Sequence, residues 1–182
     1  MTSLLSTGAR LEVHPDRMLP ADPALRGVAR EIYASVRDLP IISPHGHVPA
    51  QWLADDQPFA DPTSLLITPD HYVTRLLHAS GIGLDRLGVG QAGFTPEQSR
   101  EAFRTLCAHW HLYRGTPVRF WLESELAEIF GLDIAPSAET ADALYDALAE
   151  RLATPAFRPR ALYQRFGIEF LATTDDPCDD LG

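Results

Sequence analysis

The chain has 182 residues, 45% apolar and 22% charged, the makeup of a folded globular protein, which excludes disorder as its main state. Its formal net charge is −10, from 25 acidic against 15 basic residues, so nucleic-acid binding by phosphate neutralisation is not expected. No apolar run approaches the length of a membrane span, and two cysteines without C-x-x-C spacing, Cys107 and Cys178, fit a reducing cytoplasm rather than a disulfide framework or a zinc ribbon.

Residues 1–20 read as a loose leader, without the basic start of a signal peptide. A helix follows, with Asp22 as its cap and Pro23 in its first turn. Leu25, Val28, Ala29, Ile32, Tyr33 and Val36 form an apolar stripe along it. Pro40-Ile41-Ile42-Ser43 reads as a short buried strand that opens into Pro44-His45-Gly46-His47.

From there the pattern is helical as far as residue 167. Thr68-Pro69 starts a helix that stops before Gly81, and the Gly-rich residues 81–94 read as a loop. Thr95-Pro96-Glu97-Gln98 is a capping box, and the helix it opens buries Ala102, Phe103, Leu106, Cys107 and Trp110. Thr116-Pro117 opens a third helix that ends at Gly131, and Ser137 is expected to cap a fourth, striped by Leu144, Tyr145, Leu148 and Leu152. A short helix over residues 160–166 leads into a second strand, Ile168-Glu169-Phe170-Leu171-Ala172-Thr173-Thr174, followed by Asp175-Asp176-Pro177. Two strands so far apart do not make a self-sufficient sheet.

The sharpest chemical feature is the H-x-H at the end of the first strand. Residues i and i+2 of an extended segment point to one side, so His45 and His47 can converge on one ion, with no side chain on Gly46 to crowd the approach. Neutral imidazole suits zinc and related divalent ions. An isolated H-x-H is far more often a chance pair than a ligand pair, and the strand-end position is what raises this one. His71 and Tyr72, beside Asp70 in the first turn of a helix, read either as a polar pair aimed at an anionic or polyhydroxy substrate or as an ordinary capped helix start. Asp175 and Asp176 read as ligand-orienting groups or as caps. Cys107 reads as a small core residue, and His109, Trp110 and His111 as surface or core residues without a partner set. Trp121 is expected in the core and Glu125, four residues on, in solvent.

Taken together, Leu39-Pro40-Ile41-Ile42 leading into His45-Gly46-His47, then Asp70-His71-Tyr72 with Arg75, Phe130-Gly131-Leu132, and Thr173-Thr174-Asp175-Asp176-Pro177 resemble the uronate isomerases (glucuronate isomerase) of the amidohydrolase superfamily. The likeness runs from about residue 25 to the end, and residues 144–160 resemble the family's helical insertion. It implies an α/β fold, an incomplete (β/α)8 amidohydrolase-type barrel. This chain would carry its first two strands and a large helical insertion at about 48–167 within residues 21–182, and would therefore be mostly helical. A complete barrel takes about 250 residues.

The activity implied is interconversion of D-glucuronate with D-fructuronate and of D-galacturonate with D-tagaturonate by metal-assisted aldose–ketose proton transfer. His45 and His47 would bind the divalent metal, usually zinc. His71 and Tyr72 would lie at the sugar acid, with Tyr72 a candidate catalytic proton carrier. The expected partner is this small-molecule substrate, with no nucleic acid or membrane, in the cytoplasm, and a homo-oligomer is left open. Ser43-Pro44 stands where the family often has Asp-Tyr, Thr116-Pro117 where it has Asn-Pro, and Leu122-Glu123 where Thr-His is common, which points to a divergent branch. Two other readings stand beside this one. The first is a non-catalytic helical remnant that binds a metal or a partner protein. The second is another amidohydrolase-type hydrolase using the same H-x-H, against which the Asp-His-Tyr and Thr-Thr-Asp-Asp-Pro segments argue.

Overall fold

The computed structural model describes residues 10–174 and Cys178. Its regular elements in chain order are α1 (Pro23–Val36), β1 (Ile41–Gly46), α2 (Ala50–Asp55), α3 (Pro62–Leu66), α4 (His71–Ala79), α5 (Pro96–Ala108), α6 (Pro117–Ser124), α7 (Ala141–Leu152), α8 (Pro159–Arg165) and β2 (Ile168–Thr173). They divide between two compact units, one of Met1–Val13 with Phe59–Ala153 and one of His14–Pro58 with Thr154–Gly182. No helix among the described residues is long and apolar enough to cross a membrane.

The regular elements described in the first unit are all helices. Its elements start where the chain offers caps. Asp61 accepts from the amides of Thr63 and Ser64 at 2.8 and 3.0 Å ahead of Pro62, and Thr95 and Gln98 close the expected capping box around Pro96. The core is built by α4, α5, α6 and α7, with Val73, Leu77, Phe103, Leu106, Leu144 and Leu148 buried. Each such Leu or Phe contributes roughly 1.5–3 kcal/mol by leaving water. Buried polar groups are paired. The Tyr113 hydroxyl donates to the Val73 carbonyl at 2.7 Å, and the Thr63 hydroxyl donates to the Ser99 carbonyl at 2.6 Å. At the rim, Arg100 bridges Asp142 and Asp146 at 3.2 and 2.5 Å and lies 4.3 Å over the Tyr145 ring.

Two helix starts differ from expectation. Helix α4 begins at His71 rather than at Thr68-Pro69, because the Asp70 carboxylate accepts from the Tyr72 amide at 2.7 Å and fixes the first turn there. Helix α7 begins at Ala141, and Ser137 is not its cap. Ser137 and Thr140 instead bond each other's side chains and amides in a separate turn ahead of the helix. Within residues 1–20, read as a leader, Leu11 is buried in this unit and its amide donates to the Asp133 carbonyl at 2.8 Å.

In the second unit β1 and β2 pair in parallel, with Ile41 opposite Ile168, Ile42 opposite Phe170, Ser43 opposite Leu171 and Gly46 opposite Thr173. The left-handed Gly167 (φ +63°) ends α8 and hands its carbonyl to the Ile41 amide at 2.9 Å, which sets the register. Arg160 closes the end of α2 by donating to the Leu53 and Ala54 carbonyls at 2.7 and 2.6 Å. Helix α1 forms as expected behind Asp22 and Pro23, but its stripe is not a core face. Leu25, Val28, Ile32, Tyr33 and Val36 are exposed, Ile32 by 62%, and Ile41, Ile42 and Phe170 of the strands are exposed too. The expected burial of the first strand is likewise not seen. A two-stranded sheet has too little surface to cover an amphipathic helix and its own faces.

Candidate functional site

The second unit carries the histidine pair. Both rings are exposed, and their Nε2 atoms face each other at 3.0 Å, with the planes 77° apart. Two zinc–nitrogen bonds of ordinary length put their nitrogens about 2.9–3.4 Å apart at right-angle to tetrahedral geometry. The pair therefore fits two ligand positions of one divalent ion. The strand backbone produces this convergence. Between the Ser43–Leu171 and Gly46–Thr173 partners β1 holds one residue more than β2, a bulge that re-aims the strand end.

Gly46 permits the close approach. A Cβ there would stand 2.9 Å from Leu171 Cδ1 and 3.1 Å from the Ala172 carbonyl oxygen. The Thr174 hydroxyl donates to the Gly46 carbonyl at 3.1 Å and lies 3.4 Å from His47 Nδ1, a contact that orients the imidazole from behind. Sequence reasoning singled out the histidines but not this role of Thr174. No group of three or more His, Cys, Asp or Glu able to hold a metal occurs among the described residues. Asp175 and Asp176 lie outside them.

The first unit carries the His71–Tyr72 pair. Asp70 caps α4, so both rings leave the first turn, where the helix dipole favours a negative partner. The His71 and Tyr72 rings lie 4.1 Å apart, the Arg75 guanidinium sits 4.7 Å over the Tyr72 ring, and Trp121 meets that ring edge-on at 5.8 Å. Tyr72 is 40% exposed.

The expected placement of Trp121 and Glu125 is reversed. Trp121 is exposed, and Glu125 lines a cleft of about 90 Å³ with Leu65, Leu66, Asp70, Val118, Trp121 and Leu122. Burial pushes the Glu125 carboxyl up to about 7, with the nearby Asp70 charge adding to it. The helix changes there into a π turn, Glu125–Ile129, which no residue pattern announced. Cys107 is buried as expected, and burial pushes its thiol up to about 12, so it is inert.

The sequence model of the glucuronate isomerase family matches residues 24–182. A uronate isomerase of Cutibacterium acnes is 58% identical over 94% of this chain and 36% of its own length, and one of Phenylobacterium zucineum is 55% identical over the same shares. The chain thus spans about a third of the length of the curated relatives it matches. Among solved structures, the glucuronate isomerase of Caulobacter crescentus superposes with a TM-score of 0.89 at 48% identity, over 94% of this chain and 36% of that one. The uronate isomerase of Thermotoga maritima superposes with a TM-score of 0.79 at 25% identity, over 93% and 35%. With the family pattern running through both units, the chain belongs to the glucuronate isomerase family.

Proposed function

We propose that this chain supplies metal-holding and substrate-binding residues to an isomerase that interconverts D-glucuronate with D-fructuronate and D-galacturonate with D-tagaturonate. Family membership supports the reaction, and the observation that carries the reading is the 3.0 Å approach of His45 and His47 at the end of β1. They would hold a divalent ion, zinc as the expected one. When bound, it supplies Lewis-acid polarisation of a sugar oxygen.

The other groups act on a polyhydroxy acid in ways their chemistry permits. The Arg75 cation and the start of α4 favour an anionic substrate, and His71 offers hydrogen bonds to hydroxyls. Isomerisation moves a proton between C1 and C2 of the open-chain sugar through an enediol. Tyr72, exposed and beside a cation, is the candidate carrier. The uncovered apolar residues of α1, β1 and β2 support the wider reading of a (β/α)8 barrel, whose further strands and helices would cover them. The enzyme would work in the cytoplasm on a small sugar acid, without nucleic acid or membrane.

The test is a full-length uronate isomerase carrying this segment in place of its own, assayed for bound zinc and D-glucuronate turnover with and without H45A and H47A together. Loss of both is expected. Unchanged zinc and turnover would overturn the assignment.

A further inference from the structure

Two carboxylates of the first unit, Asp70 and Glu125, line one cleft, and they differ in what they do. Asp70 Oδ1 accepts from the Tyr72 amide at 2.7 Å, the one acceptor that amide has as the second residue of α4. Glu125 opens the π turn one helical turn beyond Trp121, and the Trp121 ring meets the Tyr72 ring. One helix end thus meets the His71–Tyr72 site through an aromatic edge and also sets a carboxyl in the cleft that its cap lines.

We propose that Glu125 is a positioning residue for the His71–Tyr72 site, acting through Asp70: its charge governs how firmly Asp70 caps the turn that carries both rings. The proposal rests on the reading of His71 and Tyr72 as substrate contacts. A neutral Glu125 leaves Asp70 the sole negative charge in the cleft, free to accept from the Tyr72 amide. An ionised Glu125 repels Asp70 toward solvent and loosens the cap.

Among the described residues, no Arg or Lys lines either cleft that Glu125 borders; the charged or titratable neighbours outside them are His71 beside Asp70, Arg75 over the Tyr72 ring at 4.7 Å and Arg119 over the Trp110 ring at 5.3 Å. Facing Glu125 are the apolar Leu65 and Leu66 at α3, Trp110 and the Cys107 thiol on the α5 side, and Asp70 at the start of α4. On its own element Glu123 is engaged by Arg119 at 2.7 Å, and Glu128 belongs to the same π turn. The raised titration of Glu125 puts its change of charge near neutral pH.

The experiment is amide–water exchange of Tyr72, read by NMR on the 15N-labelled chain from pH 5.5 to 8.5 and corrected for intrinsic base catalysis. In the unchanged chain, protection at Tyr72 is expected to fall roughly fivefold across neutral pH, the size of a weakened cap. In E125Q, which stays neutral, protection is expected to hold at its low-pH level. A flat profile in the unchanged chain overturns the proposal, and so does a fall that persists in E125Q. Because no turnover is measured, neither outcome bears on whether the enzyme is a uronate isomerase. That reading stands or falls with the zinc and turnover assay above.

Discussion

His45 and His47 bring their Nε2 atoms to 3.0 Å across a glycine that lies against β2, where an added Cβ would crowd Leu171 and the Ala172 carbonyl. Gly46→Ala would set its Cβ 2.9 Å from the Leu171 Cδ1 methyl, which can turn away, and 3.1 Å from the Ala172 carbonyl oxygen, which is backbone of the paired strand and cannot. The backbone of β1 would have to shift slightly away from that carbonyl, at about 1 kcal/mol. A lower melting temperature together with weaker zinc binding is expected, measured by calorimetric melting and zinc titration. Unaltered zinc affinity would show that the pair does not depend on this approach.

Removing one imidazole tests the ion itself. His45→Ala or His47→Ala is expected to lower zinc affinity by more than tenfold, because loss of an outer-shell contact alone costs 10–100-fold. Thr174→Val, which keeps both rings but removes the hydroxyl near His47 Nδ1, is expected to cost less than either. Isothermal titration of the three variants gives the order.

The 182-residue chain by itself is expected to show no conversion of D-glucuronate in a reductase-coupled NADH assay with zinc present. Among the described residues no third metal-binding side chain joins the histidines, and both rings face water, where electrostatic contacts are screened. Turnover that disappears on His45→Ala would refute this.

Glu125 makes the first unit's stability depend on pH. Its folded-state value of about 7 lies above the ordinary 4.5, so the folded chain keeps a proton that the unfolded chain releases. Stability is therefore full below about pH 4.5, declines as pH rises toward 7, and is level beyond. Glu125→Gln is expected to raise stability at pH 8 by about 1–3 kcal/mol and to change little at pH 4. Urea denaturation at both values provides the comparison.

Tyr113→Phe removes the fully buried hydroxyl that donates to the Val73 carbonyl while leaving the ring in place. A loss of about 1–1.5 kcal/mol is expected from the missing bond. A loss above 3 kcal/mol would mean the ring had moved as well.

What the sequence determined by itself is local. The Thr95–Gln98 capping box, the Asp22 cap, the strand ahead of His45-Gly46-His47 and the Asp70-His71-Tyr72 turn are set by residues within a few positions of each other. Side-chain chemistry and backbone period suffice for them, and the family pattern rests on the same short segments. Burial was different, because the 3–4 period of Leu25 to Val36 states which face of α1 is apolar but not whether anything lies against it. Nor does spacing tell Trp121 from Glu125. Trp121 lies on α6 and Glu125 four residues on, at the start of the π turn, and which of them meets solvent depends on where the α3 residues Leu65 and Leu66 and the α4 cap Asp70 stand. Only the tertiary structure could place a carboxyl opposite Asp70, because desolvation and like-charge repulsion arise from neighbours distant in the chain.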